Sequence, residues 1–536
     1  MKKLKLVCVA IAMAGAAPTF AGGLLTNTNQ HVAFNRMMSR EASIGIDGVY
    51  YNPAGVVFMG EGHHLAINWQ LAYQTRTINN DYKLFTNNVN NPITPRDFKG
   101  KAFAPVIPSF QYAYNKGKWS FQANFSLTGG GGKCTFDDGL GSFEKIVSET
   151  AIAACGLAGV VDQTLGNKLG QPGMEMFTSD QAFGKTGKYS FNSYMHGRQY
   201  YYGLSAGAAY KFCDNFSAFL GVRGVYALTN YYGYVENINV GNMPLYKVLD
   251  PTKENAANIE LSCDQTGVGF TPIIGVDYKT GRWNFSAKYE FKTRIRLKNK
   301  SVNQTPSIGN LPANLANQIT GTLTDKFHNA GLPLEQAKLQ AENITNTVLS
   351  DPKVGATMMG LKTQFDQKLN KAIGEYEDGK KIAGDIPAYL ALGIGYSPVD
   401  AVRVNVGFHW FDDKNATSYN NRNKELKRGT LEYNAGVEVD VNKKITLSTG
   451  WQNTNYGLSD EYMDDKSFVV GSNSAAIGGV YHINKKMDLN VAYFHTFYQH
   501  KKTSETVQLA ADKSIVYNSD YTRNNNVFAV GLDINF

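Results

Sequence analysis

The 536-residue chain is 43% hydrophobic and 12% aromatic, with 53 glycines but only 16 prolines, and its mean hydropathy is −0.31. Its formal charge of +8 falls to +5 once Lys2, Lys3 and Lys5 of the leader are discounted, too small and too scattered a surplus for nucleic acid. No segment after the leader offers the roughly 18 apolar residues a spanning helix needs, which leaves a transmembrane β-barrel, apolar at alternate strand positions only, or a secreted soluble β-protein.

The chain opens with those three lysines, an apolar run from Leu6 to Ala17, and Pro18-Thr19-Phe20-Ala21, ending in a small residue. This is the pattern of a cleaved signal peptide over residues 1–21, with Gly22 as the first mature residue. Cys8 lies inside the apolar run rather than at its end, which argues against a lipid anchor. Residues 22–60 keep no apolar period and end in Tyr50-Tyr51-Asn52-Pro53-Ala54-Gly55. A barrel of the size implied below cannot fill its interior with its own side chains, so this stretch is predicted to plug it.

From residue 61 onward, alternation marks fourteen strands, at about 63–78, 103–115, 118–128, 196–212, 215–231, 259–279, 282–297, 386–398, 401–412, 427–441, 444–454, 468–483, 486–499 and 523–536. The clearest puts Trp283, Phe285, Ala287, Tyr289, Phe291, Ile295 and Leu297 on one face, with Lys288, Glu290, Lys292, Arg294 and Arg296 on the other. At about 15 residues it is far longer than a soluble strand. Short connections such as Asn115-Lys116-Gly117-Lys118, Cys213-Asp214-Asn215 and Asn484-Lys485-Lys486 alternate with long ones, as periplasmic turns alternate with outer loops in outer-membrane barrels. The last strand carries Phe528, Val530, Leu532, Ile534 and the terminal Phe536 on one face. Two outer loops are exceptionally long. Residues 129–195 begin with Gly129, Gly130, Gly131 and Gly132, while 298–385 should hold amphipathic helices over Pro333–Leu349 and Leu361–Ile373. Cys134 and Cys155 share the first of these loops and form a candidate disulfide.

This ordered set of features resembles the FadL family of outer-membrane long-chain fatty acid and hydrocarbon transporters, in its OmpP1/FadL/TodX branch. It consists of the plug ending Asp47-Gly48-Val49-Tyr50-Tyr51-Asn52-Pro53-Ala54-Gly55, fourteen strands, Ile386-Pro387 followed by Gly393, and a C-terminal Phe536. The resemblance implies an all-β, 14-stranded antiparallel transmembrane barrel in the outer membrane of a Gram-negative bacterium. It also implies passive uptake of hydrophobic small molecules through a lateral opening beside the plug. Asn52, Pro53, Ala54 and Gly55 would then form a plug gate, a reading that the resemblance alone brings level with that of a plain turn anchoring the plug, which local sequence favours. Gly129–Gly132 would mark a kink and wall opening, or a flexible loop start. Met243, Leu245, Val248 and Leu249 of the third outer loop, with Leu334, Ile344 and Val348 of the fourth, would form a capture groove. The second and fourth outer loops are longer here than in well-known members, which puts the ligand more in question than the fold.

Arg223, Lys292 and Arg294 are read as inward-facing, either binding a fatty acid carboxylate or joining a salt-bridge network with plug acids such as Glu41 and Asp47. No Ser/His/Asp arrangement can be placed on defined strands and no zinc-type cysteine spacing occurs, so neither an enzyme nor a metal or other cofactor is expected. The expected partners are a fatty acid or hydrocarbon and outer-membrane lipid, with no nucleic acid and no second subunit. The rival reading is a surface adhesin or structural barrel without transport.

Overall fold

The computed structural model describes residues 24–306, 311–360, 374–510 and 513–536; the helix expected over Leu361–Ile373 lies outside them. One antiparallel sheet closes on itself. Strands one to six span Gly62–Tyr82, Arg96–Lys116, Trp119–Phe136, Tyr189–Cys213, Phe216–Val240 and Ile259–Thr280. The seventh is broken into Trp283–Glu290 and Arg296–Gln304, and the eighth into Lys381–Ala383 and Tyr389–Val399. Strands nine to twelve span Val402–Phe411, Thr430–Asn442, Ile445–Asn455 and Ser472–Asn484. The thirteenth comprises Met487–Tyr498 and Lys501–Ala510, and the fourteenth Lys513–Asn535. Met243–Pro244 adds a two-residue segment beside the fifth strand. The first strand pairs with the fourteenth from His64↔Asn535 to Tyr82↔Tyr517, which completes the cylinder.

Alternation sorts the wall in the sense opposite to a soluble protein. Ile67, Trp69, Phe121, Leu220, Phe270, Ile394, Ile477 and Phe528 are exposed on the outside, whereas Asn68, Gln111, Asn124, Thr229 and Gln452 are buried within. Several strands run past their predicted ends, so residues 129–136 and 189–195 are wall rather than loop, as are 298–304.

Two expectations need correction. The seventh strand does not alternate evenly from Trp283 to Leu297: pairing with the sixth slips by one residue between Ile273↔Glu290 and Thr266↔Lys298. Pro272 sits at this break and cannot donate to the ladder. Beyond it Ile295 and Leu297 are buried inside and Arg294 and Arg296 face out. Second, the loop after the third strand contains a 29-residue helix, Gly141–Leu169, long and apolar enough by composition to cross a membrane. About half of its apolar stretch is buried where it lies across the loop-side mouth, packed on Leu84, Phe85, Ile238 and Val240. Helices Leu311–Asn329 and Leu334–Leu349 join it, the latter turning Ala337, Ala341 and Val348 inward.

Residues 24–60 lie inside the cylinder. Their helix, Val32–Met37, is buried at every residue against strands ten to fourteen and the first strand. The wall makes room by omitting side chains. A methyl group at Gly436 or Gly450 would collide with the Met37 carbonyl oxygen, and at Gly393 or Gly407 with Glu41.

Candidate functional site

The plug is fastened near the short-turn rim by the Asn52–Gly55 segment. The Asn52 side-chain amide donates to Asp277 at 2.6 Å, and its oxygen accepts from the Gly55 amide at 3.2 Å. The Pro53 carbonyl accepts from Gln122 and the Ala54 carbonyl from Ser217, both at 2.7 Å. Three consecutive residues, Asn52, Pro53 and Ala54, are thereby tied to the sixth, third and fifth strands.

Higher in the wall, the ladder between the second and third strands lapses between Ala102↔Cys134 and Phe110↔Phe125. Pro105 and Pro108 offer no N–H there. Opposite them the third strand bulges twice against the fourth, at Leu127/Gly129 and Gly130/Gly132, with Gly130 at φ 76° and Gly132 at φ 87°. The plug takes up the pairing that the second strand gives up: the Asn27 amide donates to the Thr128 carbonyl at 3.0 Å and the Gly130 amide to the Leu25 carbonyl at 3.2 Å. Asn27 Nδ2 adds a 2.8 Å bond to the Gly130 carbonyl. Gly129–Gly132 are therefore where the plug touches a weakened seam.

At the loop end, an apolar groove partly open to solvent lies between the Gly141–Leu169 helix and the third and fourth outer loops. Leu245, Val248 and Leu249 line it with Val147, Leu157, Leu311 and Leu315. Met243 and Ile344 pack partly buried beside the same cluster, Val348 is fully buried in it, and Leu334 is 54% exposed. The Gly141–Leu169 wall of this groove escaped the sequence reading, although the run Ala151–Val161 carries the signal.

Several charges inside the barrel are paired. Arg223 holds Glu290 through two hydrogen bonds of 2.6 and 3.0 Å, and Lys288 donates to Glu290 at 3.0 Å and to the Tyr50 carbonyl at 2.6 Å. His409 is clasped between Glu41 of the plug at 2.7 Å and Glu432 of the wall at 2.8 Å. Arg36 and Arg40 of the plug both reach Glu438. Burial alone would raise the Asp47 carboxyl, but the Arg40 guanidinium outweighs it and holds the group below its ordinary value. Thus Glu41 and Asp47 do pair, with His409 and Arg40 rather than with the three expected cations. Lys292 and Arg294 do not face the lumen at all, because the slip beside Pro272 turns them away. His409 and Glu438 were missed, and Lys288 and Glu290 were placed on the polar face of their strand without partners; charged residues on inward parity at mid-strand were the signal.

The candidate disulfide is also corrected: Cys134 and Cys155 are both free thiols. Cys134 is fully buried in the third strand, whereas Cys155 sits some four turns into the mouth helix with its thiol on the Phe183 carbonyl. Near the mouth, Asp413 accepts hydrogen bonds from the Thr430 amide and hydroxyl and, at 3.3 Å, from the Leu24 amide at the start of the described plug. Burial pushes its pKa up to about 6 despite those bonds. Among the described residues no group of three or more metal-ligating side chains occurs.

No protein-family model matches this sequence, and no curated protein matches it either. Solved structures do. A Pseudomonas aeruginosa FadL homologue is 15% identical and aligns over 98% of this chain and 100% of its own, with a TM-score of 0.56. The deltaS2S3 mutant of the TodX monoaromatic hydrocarbon channel is 12% identical over 94% of this chain and 99% of its own, at 0.50. The chain has the fold of the FadL-type barrels: fourteen antiparallel strands closed around their own N-terminal segment.

Proposed function

We propose that this protein is a passive outer-membrane channel for hydrophobic small molecules, with long-chain fatty acids as the leading ligand class. The observation that carries the reading is the sequence of surfaces from mouth to wall: an apolar groove at the loop end, and below it a seam between the second and third strands closed by plug residues Leu25–Asn27 instead of by strand pairing. An open aqueous pore would leak solutes and give an oily ligand no affinity; a plugged barrel with an apolar landing surface avoids both. The ligand adsorbs on Leu245, Val248 and Leu249, passes down beside the plug, and leaves sideways where Gly129–Gly132 leave the seam weak. The Asn52–Gly55 anchor sets how far the plug can shift. Export through a signal peptide ending at Ala21 and residence in a Gram-negative outer membrane belong to the same proposal, supported by the apolar exterior and by neighbours named as a FadL homologue and a hydrocarbon channel. No catalytic step is involved.

The test is uptake of a labelled long-chain fatty acid and of a labelled aromatic hydrocarbon by cells with and without the protein. Faster uptake of either with the protein present supports transport, and the faster of the two identifies the class. Equal uptake for both would replace this reading with that of a surface or structural barrel.

A further inference from the structure

We propose that the outside of the wall between the sixth and seventh strands binds a phosphate-bearing anionic lipid of the loop-side leaflet, its acyl chain on Val268, Phe270 and Phe291 and its phosphate on Arg294, Lys298 and Lys381. The site is built by the register slip. Pairing between the two strands lapses from Ile273↔Glu290 to Thr266↔Lys298, with Pro272 unable to donate. Gly267 and Gly269 let the seventh strand sink inward there: a methyl at either position would lie 2.8 Å from Ile295, and at Gly269 also 2.7 Å from Thr293. The sunken backbone leaves a dent on the exterior, lined by Val268, Phe270, Pro272, Phe291, Lys292 and Arg294. Phe270 is 70% and Val268 64% exposed, so the dent is a lipid-facing surface.

The same slip turns Arg294, Arg296, Lys298 and Lys300 outward, just beyond the level where the apolar exterior ends at Phe291 and Val268. Acids answer some of this charge. Arg296 pairs with Asp385 at 3.0 Å, Lys292 lies 3.9 Å from the same carboxylate, and Lys300 faces Asp264 across the strands. Arg294, Lys298 and Lys381 have no ion pair among the described residues. Lys298 stands directly opposite Lys381, a like-charge pair that costs stability unless an anion lies between. Arg294 and Lys298 stand four residues apart, about 13 Å along the strand, a span that their long side chains close from either side of one phosphate. A basic cluster at headgroup depth beside an exposed apolar dent is complementary to a lipid carrying both a chain and a negative charge. The inference rests on the barrel lying in a membrane, as proposed above, and not on transport.

The test is native mass spectrometry of the full-length barrel in detergent, titrated with dioleoyl phosphatidylglycerol or dioleoyl phosphatidylcholine. Phosphatidylglycerol should bind at least about tenfold more tightly, and a triple variant with Arg294→Gln, Lys298→Gln and Lys381→Gln should lose that preference. Lys443→Gln, Lys444→Gln and Lys486→Gln, at the opposite rim, should retain it. Excess inorganic phosphate should leave the lipid adduct in place. Equal binding of the two lipids, an unchanged triple variant, or displacement by phosphate alone would overturn the site. Whether the barrel needs detergent to stay in solution is scored in the same preparation, so failure of the membrane reading is distinguished from failure of the site.

Discussion

Gly450 shows how closely plug and wall are fitted, because its inward hydrogen occupies the only space left by the Met37 carbonyl. Gly450→Ala should cost about 1–3 kcal/mol through overpacking and lower the temperature at which the barrel loses its compact electrophoretic mobility. Gly159→Ala, with no neighbouring atom within 4 Å, should leave that temperature unchanged or raise it slightly. Asp413 supplies a pH test at the same scale. Its folded pKa of about 6 lies above the ordinary 3.8, so its contribution to stability is fully present below about pH 3.8 and is lost as pH rises through 6. The wild type should therefore lose stability between pH 4 and 6 relative to Asp413→Asn in a thermal melt series; parallel curves would show that the carboxyl is not buried in solution. Little of this residue-level fit was legible in the sequence. The abundance of glycine was plain, but which glycines face inward at plug height depends on register, and an inward carboxylate such as Asp413 looks like any loop acid until its partners are known.

The elements that matter most are two seams where the hydrogen-bonded ladder fails. In both, proline removes donors on one strand and glycine acts nearby, by positive φ at Gly130 and Gly132 against Pro105 and Pro108, and by the room left at Gly267 and Gly269 beside Pro272. The first seam predicts a staple. A side chain at Gly132 would place its Cβ 3.7 Å from that of Ala104, within the range a disulfide accepts. Because φ 87° strains any residue other than glycine there, the reduced form of the same variant is the reference. Ala104→Cys with Gly132→Cys, in a Cys213→Ala background, should slow ligand uptake on oxidation and recover it on reduction. Uptake insensitive to the bond would place the exit elsewhere. Proline and glycine positions were visible in the sequence, and the four consecutive glycines pointed to the first seam. The second went unseen because apolar residues keep to odd positions from Trp283 to Leu297 without a break in the sequence, while a one-residue slip in pairing turns Ile295 and Leu297 to the inner face without changing composition.

At the scale of the whole molecule, strand number and plug followed from alternation, loop lengths and the aromatic C-terminus, because closure leaves few options to a chain that must satisfy every backbone group within its own wall. The mouth was less legible. The Gly141–Leu169 helix owes its place to tertiary packing on neighbouring loops, and its small residues lack a strong amphipathic stripe. Occupation of the lumen predicts electrical silence: the intact protein in a planar bilayer should pass little ion current, and a variant lacking residues 24–60 should conduct steadily. A conducting intact protein would mean that the interior is not sealed.

The seam joining the first strand to the fourteenth runs from His64↔Asn535 to Tyr82↔Tyr517, so the earliest wall residues find their partners only among the last. Since Met37 and Glu41 fit against glycines on strands eight to eleven with no clearance for later threading, the N-terminal segment must already be seated when that zipper shuts. Biogenesis is thereby a single committed act: a chain cut short before the fourteenth strand, Lys513–Asn535, lacks the partner that closes the first strand, and it remains an open ribbon for quality control to remove.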